Sequence, residues 1–165
     1  MDVNTFRMLY DYHFATNRQI WETCIAPLPE ELFSQAVPYS VGSLHDQFVH
    51  LMSVDHAWFC DLRGVESKWY SSADFADRAQ IRARWDEIET DMRAYLATLH
   101  NDMLLSKPFT EGDFKALVLW QVLMQVLNHG TDHRAQILRI LHDFGVETFP
   151  QDFIFYVYEQ NPKQT

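Results

Sequence analysis

The chain has 165 residues, 47% of them apolar, and carries a net charge of −10 at pH 7 with histidine neutral. That length fits a single domain over residues 1–165, with enough apolar material for a packed core. The acidic balance and the absence of a Lys/Arg run argue against nucleic acid as a partner, because a phosphate backbone would be repelled.

The densest basic stretch holds only Arg78, Arg82 and Arg84, spread along one segment. No run approaches the ~18 apolar residues of a membrane span, so no membrane partner is expected. The first residues show no signal-peptide pattern, and a cytoplasmic location is the expectation. The two cysteines, Cys24 and Cys60, form neither a disulfide framework nor a CxxC pair, and read as reduced and buried.

Residues 4–26 predict a first helix, with Phe6, Leu9, Tyr10, His13, Phe14, Asn17, Ile20, Trp21 and Cys24 recurring at threes and fours. Pro27 and Pro29 end it. Residues 29–33 allow one short helical turn, and 37–42 a loop. Ser43 is a candidate N-cap for a second helix over 44–63, with Asp46 in its first turn and Gly64 closing it. That helix is apolar on more than one side, which predicts packing on two faces and places His50 inside an apolar region. Residues 66–74 read as a polar and aromatic link.

A third helix is expected over 77–99, with a seam of Ile81, Trp85, Ile88, Met92, Tyr95 and Leu99. Its charged residues, Glu89 among them, read as a solvated face. Residues 100–115 form the longest irregular link, in which a short hairpin is one option. Residues 117–144 predict the longest helix, closed by Gly145. Residues 151–160 fit either a short helix or an extended packing arm. Four long periodic segments with no internal repeat indicate an all-α protein, an antiparallel four-helix bundle.

Along the longest helix one row runs Leu119, Val122, Val126, His129, His133, Ile137, Ile140 and Phe144. His129 and His133 stand one turn apart in it, about 6 Å along the axis and on one face. Two such imidazoles can reach one metal ion, and His50 is the natural third ligand. Three protein nitrogens and an open position would resemble catalytic rather than structural zinc. Asp55 and Asp132 are candidates for orienting the ligands, Asp132 equally well a surface charge. Cys60 lies about 15 Å along its helix from His50 and should not share the metal. The remaining histidines, His13, His45, His56, His100 and His142, read as core or surface residues. There is no Glu-x-x-His di-iron motif, no zincin glutamate after His129 and no G-x-S-x-G elbow.

Asn128-His-Gly-Thr-Asp-His-Arg-Ala-Gln-Ile137 resembles the signature of the DinB-like (DinB/YfiT-like) family, written around Asn-His-Gly-x-x-His-Arg-Gly-Gln. Leu44-His-Asp-Gln-Phe-Val-His50, followed by Asp55 and Trp58, is similar to the family's second helix. Tyr10-Asp-Tyr-His-Phe-Ala-Thr-Asn17 is similar to its first, and Pro150-Gln-Asp-Phe-Ile to its tail. The resemblance spans nearly the whole chain. Ala135 stands where the family often has Gly, and Asp55 where it commonly has Glu.

The resemblance implies a four-helix bundle holding one divalent metal ion (Zn, Ni, Mn or Fe) on His50, His129 and His133, often as a homodimer. It also implies chemistry of the thiol-S-transferase type, joining a low-molecular-weight thiol to an electrophilic small molecule. A metal-dependent hydrolase and a non-catalytic metal-binding or dimerisation bundle are the alternatives. No general base stands out; His13 and Asp55 qualify only if they lie at the metal. The pocket is expected to be lined by aromatics such as Trp58 or Tyr10.

Overall fold

The structure, a computed structural model, describes residues 1–161. Residues 162–165, the end of the expected domain, lie outside them. The described residues form six α-helices: α1 (Val3–Ile20), α2 (Glu30–Phe33), α3 (Leu44–Arg63), α4 (Arg78–Thr98), α5 (Leu119–Asp143) and α6 (Phe153–Gln160). No helix among them is long and apolar enough to cross a membrane.

Local chemistry sets the helix ends. Asp2 accepts the Thr5 N–H at 2.8 Å and starts α1. Ser43 and Asp46 cap α3 reciprocally, each side chain accepting the other's backbone N–H. Gly64, at φ 65°, adopts the left-handed conformation that ends α3. Asp77 accepts the Gln80 N–H at 2.9 Å and starts α4. At the head of α5 the Leu119 N–H reaches the Ser106 carbonyl at 2.9 Å, which ties the preceding loop to the helix.

The four long helices close a ring of contacts: α1 packs on α4, α4 on α3, α3 on α5 and α5 on α1. That is the expected all-helical bundle. Inside it Phe48 meets Trp21 edge-on at 5.1 Å between ring centroids and Trp85 at 5.4 Å. Leu44, Leu51, Met52, Ile81, Val126, Ile137 and Leu141 fill the space between helices. The apolar side of α3 does pack on two partners, α4 and α5.

Several expectations change in detail. The first helix continues past Ile20 as one π-helical turn, Trp21–Ile25. The 100–115 link holds a 3-10 turn, Asn101–Leu105, and no hairpin. The open choice at 151–160 resolves as α6, against which Tyr12 sets its ring edge-on to Phe153 and Tyr156. Glu89 is not on the solvated face of α4. It is buried, and accepts from Arg18 at 2.9 Å and Arg93 at 2.8 Å, pinning α4 to α1.

Candidate metal centre

The packing of α3 on α5 brings His50, His129 and His133 together: each offers a ring nitrogen, and these atoms all lie within 4.8 Å of one another. His129 and His133 lie one turn apart along α5, their rings tilted with centroids 4.3 Å apart, and His50 faces them from α3 at 5.2 and 4.6 Å. The Nε2 atoms of His50 and His129 are 3.2 Å apart. His133 is buried, whereas His50 and His129 are partly exposed, so the cluster opens to solvent on one side.

His133 is held in a definite tautomer. Its Nδ1 lies 2.9 Å from Gln47 Oε1. The Gln47 amide nitrogen donates to Gln136 Oε1 at 3.4 Å, and the Gln136 amide nitrogen donates to Asp132 at 3.0 Å. Each amide in this chain accepts on one side and donates on the other, which leaves Gln47 Oε1 to accept the His133 Nδ1 hydrogen. His133 Nε2 then presents a free lone pair to the cluster. Asp132, left open between orienting role and surface charge, has no hydrogen bond to a candidate ligand and connects to His133 only by way of Gln136 and Gln47.

Burial lowers the pKa of all three histidines. For His50 it is the cause; for His133 burial comes first and the neighbouring His50 adds to it. His129 is lowered to about 4 by burial and then by His133, with the Asp55 carboxylate opposing. All three are therefore neutral at pH 7, the form in which imidazole binds a metal. Three neutral nitrogens converging within 4.8 Å fit one divalent ion.

Behind the cluster lies a buried polar network. His13 Nε2 is 3.0 Å from Asp55 Oδ2, and both side chains are fully buried. Arg134 Nη1 is 3.0 Å from His13 Nδ1 and donates to Asn17 Oδ1 at 3.2 Å. Arginine can only donate, so His13 Nδ1 accepts and its hydrogen sits on Nε2, directed at Asp55. The Asn17 amide nitrogen lies 3.1 Å from the same Nε2 and lends no hydrogen there. Arg134 is itself 1% exposed and also donates to Gln151 Oε1 at 3.0 Å. The buried cation and carboxylate thus compensate each other through a neutral imidazole.

His13 is consequently no general base at the cluster: both its ring nitrogens face buried partners. Tyr10 does not line a pocket either. It is fully buried and donates its hydroxyl to the Leu123 carbonyl at 3.0 Å. Trp58 packs against Phe114 and Phe109, with centroids at 5.1 and 6.2 Å. The aromatic ring beside the histidines is Trp69, 6.2 Å from His50 and 60% exposed. Cys60 lies beside His56, and Cys24 near the Glu147 carbonyl, so neither joins the cluster.

Gln47, Arg134 and Gln151 escape a reading based on spacing. One signal for Arg134 stands in the sequence: with Leu123, Leu127, Gly130, Ile137 and Leu141 it falls on the buried side of α5. Gly130 is the second. A Cβ there would come 2.4 Å from His13 Cε1 and 2.6 Å from its Nδ1, so only glycine lets the His13 ring lie against α5.

Comparison with known proteins agrees with this architecture. The chain is 28% identical over 166 residues to Protein DinB of Bacillus subtilis (strain 168), covering 91% of this chain and 92% of that protein. The model of the DinB family matches residues 1–164. With nearly its full length matched, the chain belongs to the DinB family.

Proposed function

We propose that this protein binds one divalent metal ion through His50, His129 and His133 and acts as a metal-dependent enzyme of the thiol-S-transferase type. The observation that carries the metal is the convergence of three neutral imidazole nitrogens within 4.8 Å, one of them fixed by Gln47. Three protein donors leave zinc and its neighbours at least one position for an exogenous ligand. When bound, the metal supplies Lewis acidity that lowers the pKa of a small thiol, making thiolate available at neutral pH.

The chain's own residues then bind and orient. The cluster faces solvent on the side of His50 and His129, where Trp69 offers an exposed aromatic face to the electrophile. The thiol sulfur forms its new bond to the electrophilic carbon while the leaving group departs, and the thiol proton passes to solvent. Metal-assisted hydrolysis is the runner-up, and a non-catalytic metal-binding bundle the third reading.

The partners follow from the same reading: a small thiol and an electrophilic small molecule, not nucleic acid. The arginines of α4 support this, since Arg78 pairs with Glu30, Arg82 with Asp86, Arg84 with Glu87 and Arg93 with Asp11, so each carries an acidic partner. A homodimer is part of the proposal. Leu105, Ile154 and Tyr158, 75%, 50% and 65% exposed, are apolar side chains a second copy can cover.

Cobalt(II)-loaded protein tests the mechanism. Adding a small thiol is expected to produce a sulfur-to-metal charge-transfer band. An unchanged spectrum at saturating thiol, with cobalt bound stoichiometrically, rules out thiol transfer and leaves the metal site standing.

A further inference from the structure

Two buried polar atoms next to the histidine cluster have no hydrogen-bond partner among the described residues: Asp55 Oδ1 and His129 Nδ1. One is an acceptor, and the other can donate. Asp55 is fully buried on α3, with its Oδ2 already engaged by His13. His129 turns Nε2 toward His50, and its other nitrogen, Nδ1, points away from that contact and is buried.

Gly130 and His13 connect the two residues. The His13 ring lies so close to α5 at Gly130 that a Cβ there would be 2.4 Å away. His13 also holds Asp55 at 3.0 Å, so a single ring links the carboxylate to the residue that follows His129. The Asp55 charge does reach His129, where it works against the effect of burial. Orphaned buried groups of complementary polarity are costly apart and compensated together.

We propose that Asp55 is a positioning residue for His129: its Oδ1 takes the His129 Nδ1 hydrogen through one buried water, and so keeps Nε2 turned to the metal. The His13–Arg134 pair holds the carboxylate from behind. Arg134 supplies the compensating charge and, through Gln151, anchors the arrangement to the segment before α6. The cluster then has two orienting arms, Gln47 for His133 and Asp55 for His129. His13 and Arg134 serve the metal centre without touching it. This inference rests on the metal-binding reading.

The test uses the full chain. Cobalt(II) affinity is measured by chelator competition for the parent and for Asp55→Asn, which is nearly isosteric. The variant is expected to take one equivalent at saturation but to bind on the order of 10- to 100-fold more weakly, as when a ligand's outer partner is removed. Equal affinity in a folded variant overturns the proposal. A second measurement needs no variant: long-range proton–nitrogen NMR of the zinc-loaded parent. The His129 Nδ1 hydrogen is expected far downfield and slow to exchange. Zinc bound through His129 Nδ1, or a rapidly exchanging Nδ1 hydrogen, overturns it equally. A parent chain that takes up no metal defeats the metal reading and this inference with it, an outcome distinct from equal affinities in parent and variant.

Discussion

Gln47 Oε1 accepts the His133 Nδ1 hydrogen at 2.9 Å, across the interface between α3 and α5. The bond fixes which nitrogen of His133 faces His50 and His129. Gln47→Leu keeps the volume but leaves a buried N–H without a partner. Metal affinity is expected to fall on the order of tenfold or more, with helicity retained. Chelator competition on the purified variant measures it.

Gly130→Ala tests the close approach of His13 to α5. Alanine would gain up to ~1 kcal/mol of helix propensity over glycine. Its Cβ would stand 2.4 Å from His13 Cε1, and the His13 ring cannot retreat without releasing Asp55 and Arg134. Overpacking of this kind costs about 1–3 kcal/mol, so the clash outweighs the gain. A lower midpoint in thermal denaturation is the expected result.

The metal-free protein should lose stability on mild acidification. Burial lowers the pKa of His50, His129 and His133, with His129 at about 4. The unfolded chain, with ordinary imidazoles near ~6.5, binds more protons than the folded one below that pH. The stability these groups contribute is complete above about pH 6.5 and is lost progressively as the pH falls toward 4. Melting temperatures across this window should decline, and His129→Gln should flatten part of the decline. A parent profile flat from 6.5 to 4 would contradict the burial of these rings.

Much of the bundle is legible in the sequence because periodicity and caps are local. Ser43, Asp46 and Gly64 mark α3 to the residue, and the row through His129 and His133 marks the face of α5 that meets it. The three histidines were legible because two share a helical turn and the third lies in a helix apolar on two sides. What escaped depends on contacts between distant segments. Nothing near Gln47 in sequence announces His133 as its partner, and Arg134 finds its counter-charge only when α1 and α3 pack beside α5. The aromatic at the cluster's rim is Trp69, from an irregular link, rather than Trp58 or Tyr10, because a link has no period from which its direction can be read.

The central claim is that His50, His129 and His133 hold one metal ion, and elemental analysis with a stoichiometry per chain tests it most directly. The parent protein, purified without added chelator, is expected to carry or take up one equivalent of a divalent transition metal. His129→Ala and His133→Ala should each lose it while the helical circular dichroism largely survives, since the apolar core of Phe48, Trp85, Leu51 and Ile81 is built without the histidines. A full equivalent retained by both variants, or none bound by the parent, would contradict the assignment.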